Sequence, residues 1–366
     1  MLKWITLSII SFTSLSFAAA PGNYYQLRSK VQSTSAKAIQ AWVNGLVTES
    51  APSRMIGLPG HEKAKSWLLS TISKLDKRQT GKLTSVSFEP DTEEAARFYQ
   101  KDFDDKVAGK IPTNNPDYHR YLTFTNYMKA KAAELKIHKG ENIIWEKAGL
   151  NPNKILVVTA HYDTVSQDPQ SLMINVKDPM PGANYNASGV AVALGIINLL
   201  SDIDLNYSVQ VVFLDWQGIG FLGSFHHAKD LRKSGKEIMG VVNLEMLGQD
   251  TSFFDKKKMI GNMSVYIRKN ADEEKLVKKM EIAGAQMTSK IAFEMKDIGF
   301  ENSDNIRYQE ENIPTLTYSQ NWEEDFNPKF FQTKQDTPET LNHETLYKAY
   351  QFIGGGVAAT LLDIVK

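Results

Sequence analysis

The stretch Ile155-Leu-Val-Val-Thr-Ala-His161-Tyr-Asp163-Thr-Val165 decides the fold. Its first six residues form an apolar and β-branched run, which is typical of a strand buried on both faces of a parallel sheet. His161 follows this run directly, and Asp163 comes two residues later. Ligand sites in open α/β sheets lie beyond the carboxyl ends of the strands. The stretch therefore predicts a central strand that carries His161 and Asp163 into a site.

Apolar strands alternate with amphipathic helices on both sides of this stretch. Such alternation predicts an α/β fold, with a three-layer, mostly parallel (mixed) sheet and helices on both of its faces. The predicted strands are 83–88, 142–146, 154–160, 209–214, 239–244, 263–267 and 315–318. The predicted helices are 25–49, 61–75, 188–200, 224–234, 272–285 and 345–365.

Residues 91–137 interrupt the alternation. They are charged, aromatic and helix-prone, with a proline and asparagine break at 112–116. We interpret them as a helical insertion that caps the sheet. Amphipathic surface helices need no ligand to explain them, so a pair of ordinary surface helices is favoured over a specific binding role.

The composition excludes several classes of function. Lys and Arg together number 42, as do Asp and Glu, so no net charge points to nucleic acid or to an anionic membrane. The chain has no cysteine, which excludes disulfides, thiolate metal sites and cysteine nucleophiles. We expect residues 19–366 to form a single domain.

The first residues have the pattern of a signal peptide. Lys3 gives a positive start, and residues 4–17 form a short apolar and hydroxylated stretch. Ser16 and Ala18 are small residues at the positions that a signal peptidase reads, so we expect cleavage after Ala18. Segment 1–18 is too short to span a membrane, and no later run reaches the roughly 20 apolar residues of a spanning helix. The pattern predicts an exported protein, periplasmic or secreted, with no membrane association after cleavage.

Five segments in chain order resemble motifs of the co-catalytic di-zinc aminopeptidase family, the zinc exopeptidases that include bacterial leucyl aminopeptidases and glutaminyl cyclases. The loop Ser303-Asp304 is also similar to a loop of that family. The resemblance spans about residues 50–365 and leaves the insertion outside it. The segments are Ala160-His-Tyr-Asp-Thr-Val165, Pro181-Gly-Ala-Asn-Tyr-Asn-Ala-Ser-Gly189, Phe213-Leu-Asp-Trp-Gln-Gly-Ile-Gly-Phe-Leu-Gly-Ser224, Asn243-Leu-Glu-Met-Leu-Gly248 and Phe331-Gln-Thr-Lys-Gln-Asp-Thr-Pro-Glu339.

Two residues of these segments keep the residue type that the family uses, and a third keeps an acid. The resemblance implies that His161 stands at the first zinc-ligand position and that Asp163 orients its ring. Glu245 stands where the family has an aspartate ligand, so the acid is kept but is one methylene longer. The family chemistry needs His and carboxylate ligands around two zinc ions, and a separate glutamate that takes a proton from the bound water.

Four other positions depart from the family pattern. Tyr185 stands where the bridging aspartate belongs, and Gln217 stands where the general-base glutamate belongs. Gly218 replaces the next glutamate, a ligand, and Gln332 replaces the final histidine. An amide is no base, so Gln217 would be inactive at that position. The residual ligand positions would be His161, Glu245, Tyr185 and Gln332.

These departures together imply a pseudoenzyme. Packed carboxylates repel one another unless a metal ion neutralises them, so a site that gives up zinc is expected to give up its acids as well. We expect no cofactor, or at most one weakly bound zinc. The preserved frame predicts a peptidase-like protein that is catalytically inactive and binds a peptide or a protein partner in its cleft.

Two enzymatic alternatives stay open. One is a hydrolase with an altered site built from His161, Asp163 and Glu245, either metal-free or, with a single metal, a zinc-dependent aminopeptidase or metallohydrolase. The other is a working aminopeptidase whose ligands lie at other positions. His226 and His227 are poor replacement ligands, because adjacent residues on a helix point in different directions. A serine hydrolase is also disfavoured, since Ser224 lacks the nucleophile-elbow spacing.

Several aromatic residues follow the motif segments and are candidates for the walls of a hydrophobic cleft. Ordinary core and rim packing is the simpler explanation for them. If the cleft is preserved, it could bind a peptide or an amino-acid side chain without cleaving it. The candidates are Tyr162, Trp216, Phe221, Trp322 and Phe326.

Overall fold

The structure is a computed structural model that describes residues 22–168, 170–251, 257, 260–298, 300 and 302–365. The predicted signal segment, residues 1–18, lies outside the described residues. The described strands are β1 (Lys82–Phe88), β2 (Gly140–Lys147), β3 (Asn151–His161), β4 (Tyr207–Leu214), β5 (Glu237–Glu245), β6 (Gly261–Tyr266), β7 (Ile291–Lys296) and β8 (Thr315–Gln320). The described α-helices are α1 (Tyr24–Ser33), α2 (Ala36–Glu49), α3 (Pro59–Leu75), α4 (Thr92–Lys106), α5 (Pro116–Leu135), α6 (Ser188–Leu200), α7 (Leu222–Lys233), α8 (Ala271–Met287), α9 (Asn305–Glu310) and α10 (His343–Leu361).

The strands form one mixed sheet in the order β1-β2-β4-β3-β5-β8-β6-β7. Strand β3 pairs in parallel with β4 on one side and with β5 on the other. Strands β5 and β8, and β6 and β7, are also parallel, whereas β1–β2, β2–β4 and β6–β8 are antiparallel. The chain leaves β3 for β4 and then crosses back over β3 to reach β5. Such a reversal of direction marks the point where α/β folds bind their ligands.

Helices cover both faces of the sheet, which confirms the three-layer prediction. Leu156 and Val158 of β3 face a large apolar cluster shared with α1, α2, α3, α6, α8 and α10. Ile155 and Val157 point the other way, into a second cluster shared with α7. Because successive strand residues alternate between faces, a strand covered on both sides must be apolar throughout.

Helix α6 is the central helix of the larger layer. All but one of its 13 residues are buried, and the segment Ala183–Leu200 is apolar and long enough to cross a membrane. It is the one such segment in the part of the chain that the structure describes, and 94% of it is buried inside the protein. A core helix of this kind begins next to the motif segment around Tyr185 and fixes the position of that segment.

Three elements differ from the sequence prediction. The single helix predicted over 25–49 is two helices, because Thr34 is extended and Ser35 caps α2 by accepting the N–H of Ala38. Strand β7, a short outer strand, was not predicted, although Ile291, Phe293 and Met295 alternate with Ala292, Glu294 and Lys296. The six-residue helix α9 is too short to give a helical periodicity.

The insertion folds as the helix pair α4 and α5, as its composition predicts. The two helices pack on each other and on an apolar cluster that includes Trp216 and Ile219 from the loop after β4 and Leu222 at the start of α7. The insertion thus covers the loops at the carboxyl edge of the strands. This position makes it part of the surroundings of the candidate site.

Candidate functional site

The ends of three adjacent strands bring the motif residues together. His161 is the last residue of β3 and Glu245 is the last residue of β5. The loop that contains Gln217 begins directly after β4. Parallel strands place their carboxyl ends at one edge of a sheet, so these side chains converge as the sequence predicts.

His161 is buried and lies between two acceptors. Its Nε2 is 3.3 Å from Oε1 of Glu245, and its Nδ1 is 3.0 Å from the backbone carbonyl oxygen of Asp163. A carbonyl can only accept, so Nδ1 carries a proton. Burial alone would lower the pKa of His161, but the nearby Glu245 carboxylate outweighs burial and raises the pKa to about 9. The ring is therefore an imidazolium that donates to both neighbours at neutral pH.

Asp163 has a different contact from the one implied by the family resemblance. Its carboxylate Oδ1 is 3.8 Å from Nδ1 of His161, so the backbone carbonyl, and not the carboxylate, holds the ring. The carboxylate accepts the N–H groups of Gln217 at 3.0 Å and Gly218 at 3.1 Å. Burial raises the pKa of Asp163. Asp163 fixes the loop after β4 against the end of β3.

Glu245 is held by a chain of polar side chains. Its Oε2 accepts a hydrogen bond of 2.7 Å from Ser303. The Ser303 hydroxyl accepts the side-chain N–H of Asn243, whose carbonyl oxygen accepts the hydroxyl of Thr159. With His161 on Oε1 and Ser303 on Oε2, both carboxylate oxygens of Glu245 have partners.

The phenol of Tyr185 fills the space in front of His161. Its hydroxyl donates to the side-chain carbonyl of Gln217, and its ring meets the His161 ring edge-on with centroids 4.7 Å apart. Burial, together with the charges of Asp163 and Glu245, raises the pKa of Tyr185 well above its ordinary value. With these neighbours Tyr185 is a neutral phenol, and its hydroxyl proton is used in the hydrogen bond to Gln217.

The segment that carries Tyr185 is fixed from both sides. The buried guanidinium of Arg54 donates to the carbonyls of Pro181 at 2.6 Å and Gly182 at 2.8 Å. Asp336 accepts the backbone N–H groups of Asn184 at 2.8 Å and Tyr185 at 2.9 Å. Burial lowers the pKa of Arg54 to about 10, so it remains charged at neutral pH. Arg54 has no signal in the sequence, because a lone arginine in a loop carries no motif.

Asp304 is a further buried acid beside the site. Its Oδ1 accepts a 2.6 Å hydrogen bond from Ser224, and its Oδ2 has no partner among the described residues. Burial raises the pKa of Asp304 to about 7, against the opposing attraction of the His161 charge. Its signal in the sequence was the Ser303-Asp304 motif, which showed no role by itself.

The loops of the site hold strained backbone. Four of the eight described non-glycine residues with positive φ lie here, namely Trp216, Phe221, Met246 and Gln332. A left-handed conformation costs roughly 1 kcal/mol or more for such residues, and it persists only where the surroundings enforce it. The backbone frame of the site is therefore firmly held, although its side chains depart from the family pattern.

The side chains of the site do not fit a two-zinc centre. A zinc site uses three or four His, Cys, Asp or Glu ligands, and no group of three such residues that could hold a metal ion occurs within the described ranges. Of the residual ligand positions, only His161 and Glu245 carry such side chains, and they bond to each other. Gln332 lines the cleft together with Gln217, and both side chains are neutral amides.

A cavity of about 600 Å³ opens in front of these residues. Three of the five candidate wall residues, Phe221, Trp322 and Phe326, line it, although ordinary core and rim packing was the favoured explanation for them. Tyr162 and Trp216 do not, because both side chains are fully buried. Tyr162 lies between His161 and Asp163 in an extended segment, so it points to the opposite side, where it stacks on His61.

Comparison with known sequences agrees with these motifs. The sequence model of peptidase family M28 matches residues 142–355, more than half of the chain. A probable zinc metalloprotease of Pyrenophora teres f. teres (strain 0-1) is 24% identical over 231 residues, which cover 62% of this chain and 40% of that protein. Aminopeptidase YwaD of Bacillus subtilis (strain 168) is 26% identical over 248 residues, covering 64% and 48%. The chain thus matches less than half the length of these curated relatives.

Solved structures share the fold. The LapA aminopeptidase of Legionella pneumophila superposes with a TM-score of 0.64 at 13% identity, covering 99% of this chain and 80% of that one. BSAP, a zinc aminopeptidase from Bacillus subtilis, gives a TM-score of 0.61 at 17% identity, with coverages of 90% and 98%. A glutaminyl cyclase of Porphyromonas gingivalis gives 0.59 at 16% identity, with coverages of 89% and 98%.

Proposed function

The chain belongs to peptidase family M28, and we propose that it is an exported, catalytically inactive member that binds a peptide or a protein partner in its cleft. The observation that carries this proposal is the hydrogen bond from the Tyr185 hydroxyl to Gln217. The two positions that would hold the bridging carboxylate and the general base hold a phenol and an amide, and these are bonded to each other.

Neither group can do the work that peptide hydrolysis needs. A general base must take a proton from the attacking water, and an amide oxygen has almost no basicity at neutral pH. The Tyr185 phenol stays protonated because burial raises its pKa. Binding makes no such demand, and the cavity of about 600 Å³ has the size of a small-molecule or side-chain site.

The proposed export rests on the signal-like residues 1–18. A positive start, a short apolar stretch and small residues at the cleavage positions match the segments that are removed during secretion. The mature chain would begin at Ala19, in the periplasm or outside the cell.

An altered metallohydrolase is the second candidate. Two observations favour it: His161 and Glu245 are 3.3 Å apart, and relatives of the chain bear the names zinc metalloprotease and aminopeptidase. In that case the two side chains would separate and share a single metal ion. Two protein ligands are fewer than zinc sites use, which is why the inactive reading is preferred.

A hydrolysis assay separates the two candidates. We expect the purified mature chain to release no product from aminoacyl-4-nitroanilides, with or without added zinc, cobalt or manganese, while the Bacillus subtilis zinc aminopeptidase serves as the positive control. Turnover that disappears in both His161→Ala and Glu245→Ala would instead support the metallohydrolase. Glu237→Ala, at the exposed start of β5, is the matched control and should behave as the parent chain.

A further inference from the structure

A second cavity, the β1 groove, lies on the face of the sheet that α7 covers. Its volume is about 430 Å³, and it shares no lining residue with the cleft at the strand ends. Residues 86–89 form one side of it, α7 forms the other, and Ile144 of β2 and Gln210 of β4 lie between them. The groove is therefore separate from the site that the family motifs build.

The outer strand β1 has an accessible free edge. It pairs with β2 over all seven of its residues in one unbroken register, and it has no strand on its other side in the described sheet. Ser85, Val86 and Ser87 are exposed. An outer strand presents a row of unpaired N–H and C=O groups, which can pair with another extended chain. The free edge of β1 is thus a template for an added strand.

The residues of β1 do not protect this edge. Proteins commonly protect outer strands with charged side chains, prolines or bulges. The opposite outer strand, β7, has such charges, since Lys296 pairs with Glu294 at 3.1 Å. In β1 the one charged residue is Lys82, the first of the strand, and the other six are apolar or hydroxylated. The composition of β1 therefore permits pairing with another chain.

The side chains of β1 that face α7 lie beside the groove. Thr84 is opposite Ile144 and Val86 is opposite Asn142, and residues paired in this way share a face of the sheet. Ile144 packs with Leu231 of α7 in the apolar cluster on that face. A strand added next to β1 would continue the alternation of side chains, so every second side chain would point to the side of the groove.

The polar atoms of the groove that lack partners suit a planar cation. The Asp230 carboxylate has no hydrogen bond or ion pair among the described residues. His226 stacks on Phe88 with ring centroids 4.5 Å apart, and its Nε2 also has no partner among those residues. The one lysine that lines the groove, Lys236, is held by Glu146 at 2.6 Å. A guanidinium binds a carboxylate through two N–H groups and stacks on flat rings, so it fits this arrangement.

We propose that the β1 groove is a docking site for an extended segment of a partner protein. The segment adds as a strand to the free edge of β1 and places an arginine side chain in the groove against Asp230. Backbone hydrogen bonds along the edge supply affinity in this mode of recognition, and the pocket beside the edge selects the side chain. The proposal does not rest on the proposed function, because no residue of the cleft takes part in it.

Isothermal titration of the mature chain with a short peptide tests the arginine site. The probe is acetyl-Thr-Val-Thr-Arg-Thr-Val-Thr-amide, whose blocked ends bring no terminal charge to the protein. Replacing its arginine with citrulline keeps the shape of the side chain and removes the charge. We expect the citrulline peptide to bind about tenfold more weakly, since hydrogen bonds to charged groups are the stronger ones. Equal affinities would contradict a guanidinium site.

A variant of α7 assigns this difference to the groove. Asp230→Asn should bind the arginine and citrulline peptides equally. Asp272→Asn is the matched control, because Asp272 is exposed on α8, which packs on the opposite face of the sheet. The control should keep the full preference for arginine. A preference that persists in Asp230→Asn would overturn the role of this carboxylate.

N-methylated peptides test the strand pairing itself. A strand uses the N–H groups of alternate residues to pair along one edge. We therefore expect methylation of either the even-numbered or the odd-numbered residues of the peptide to lower the affinity at least tenfold, while the other pattern binds as the unmodified peptide does. Equal affinities of the two methylated peptides would contradict strand addition.

Amide hydrogen exchange locates the bound peptide. Exchange should slow in residues 82–89 on addition of the arginine peptide, with no change in the loops around Gln217 and Gln332. Slower exchange in those loops and unchanged exchange in β1 would place the peptide in the cleft and overturn the proposal. Peptidase turnover in the hydrolysis assay would contradict the proposed function and leave this docking site unaffected.

Discussion

At the scale of single residues, the polar side chains of the site pair with one another. The His161 imidazolium lies against Glu245, and the Tyr185 phenol bonds to Gln217. In a metal centre the metal ion would compensate the buried acids, and under the proposed function the His161 imidazolium and two neutral side chains take its place. Replacing acids with neutral residues lowers the desolvation cost of a buried site.

The packing around Gly218 leaves no room for a side chain at this position, where the family has a glutamate. A Cβ at this position would lie 2.5 Å from Cγ1 of Val165, closer than atoms can pack. We predict that Gly218→Ala destabilises the protein by about 1–3 kcal/mol, the range for overpacking a close-packed site. Chemical denaturation measures this change.

Val165→Ala provides the control for Gly218→Ala. The double variant should be less destabilised than the sum of the two single variants, because the smaller side chain makes room for the new methyl group. Additive effects would show that Val165 does not limit the space at Gly218.

His227 predicts how stability depends on pH. It is buried between the Tyr308 hydroxyl and Gln210, and burial lowers its pKa to about 4. In the unfolded chain this histidine takes up a proton near pH 6.5. Its contribution to the free energy of unfolding is therefore fully present above pH 6.5 and is lost as the pH falls toward 4. The loss amounts to roughly 3 kcal/mol at most.

His227→Gln removes this titration. The variant should show a shallower decline of unfolding free energy between pH 6.5 and 4 than the parent chain, measured by urea denaturation across that range. His119→Gln, an exposed histidine on α5, is the matched control. Equal slopes in the parent chain and His227→Gln would contradict the buried neutral histidine.

At the scale of elements, sequence reasoning works where strand ends fix positions. His161 and Glu245 were expected to meet because they end neighbouring parallel strands, and they do. Trp216 was one candidate for the cleft wall, with core packing as the favoured explanation, and it is buried, since its positive φ turns the chain at the strand end. Local patterns do not encode such turns.

The packing of the insertion could not be predicted from the sequence. Its helices could be predicted from composition, but the direction in which they pack could not. That direction depends on the ion pair of Arg307 with Glu94, two residues more than 200 positions apart in the sequence. The sequence shows the aromatic residues of the insertion, but it does not show that they face the cavity.

The same ion pair gives a prediction for the insertion. Glu94→Gln leaves the buried Arg307 guanidinium without one of its carboxylate partners, which should cost about 1–3 kcal/mol. We expect faster amide hydrogen exchange in α4 and α5, with little change in the central strands. Glu93→Gln is the matched control, because Glu93 is 90% exposed and lies 4.0 Å from its partner. Unchanged hydrogen exchange in α4 would contradict the role of the Arg307–Glu94 ion pair in holding the insertion.

At the scale of the whole molecule, the fold is that of the family, whereas several side chains of the site differ from the family pattern. The eight-stranded sheet, the strand-end site and the strained loops are all in place, and the fold matches solved aminopeptidases over 90% or more of this chain. Stability in such a frame comes from the apolar layers on both faces of the sheet, which need no metal.

The zinc content of the native protein tests the central claim most directly. We predict that the mature chain, purified from cells grown with zinc and then dialysed, contains well below one zinc per chain by elemental analysis. His161→Ala should give the same value. Two zinc ions per chain that survive dialysis would contradict the claim that this member of family M28 has no metal centre.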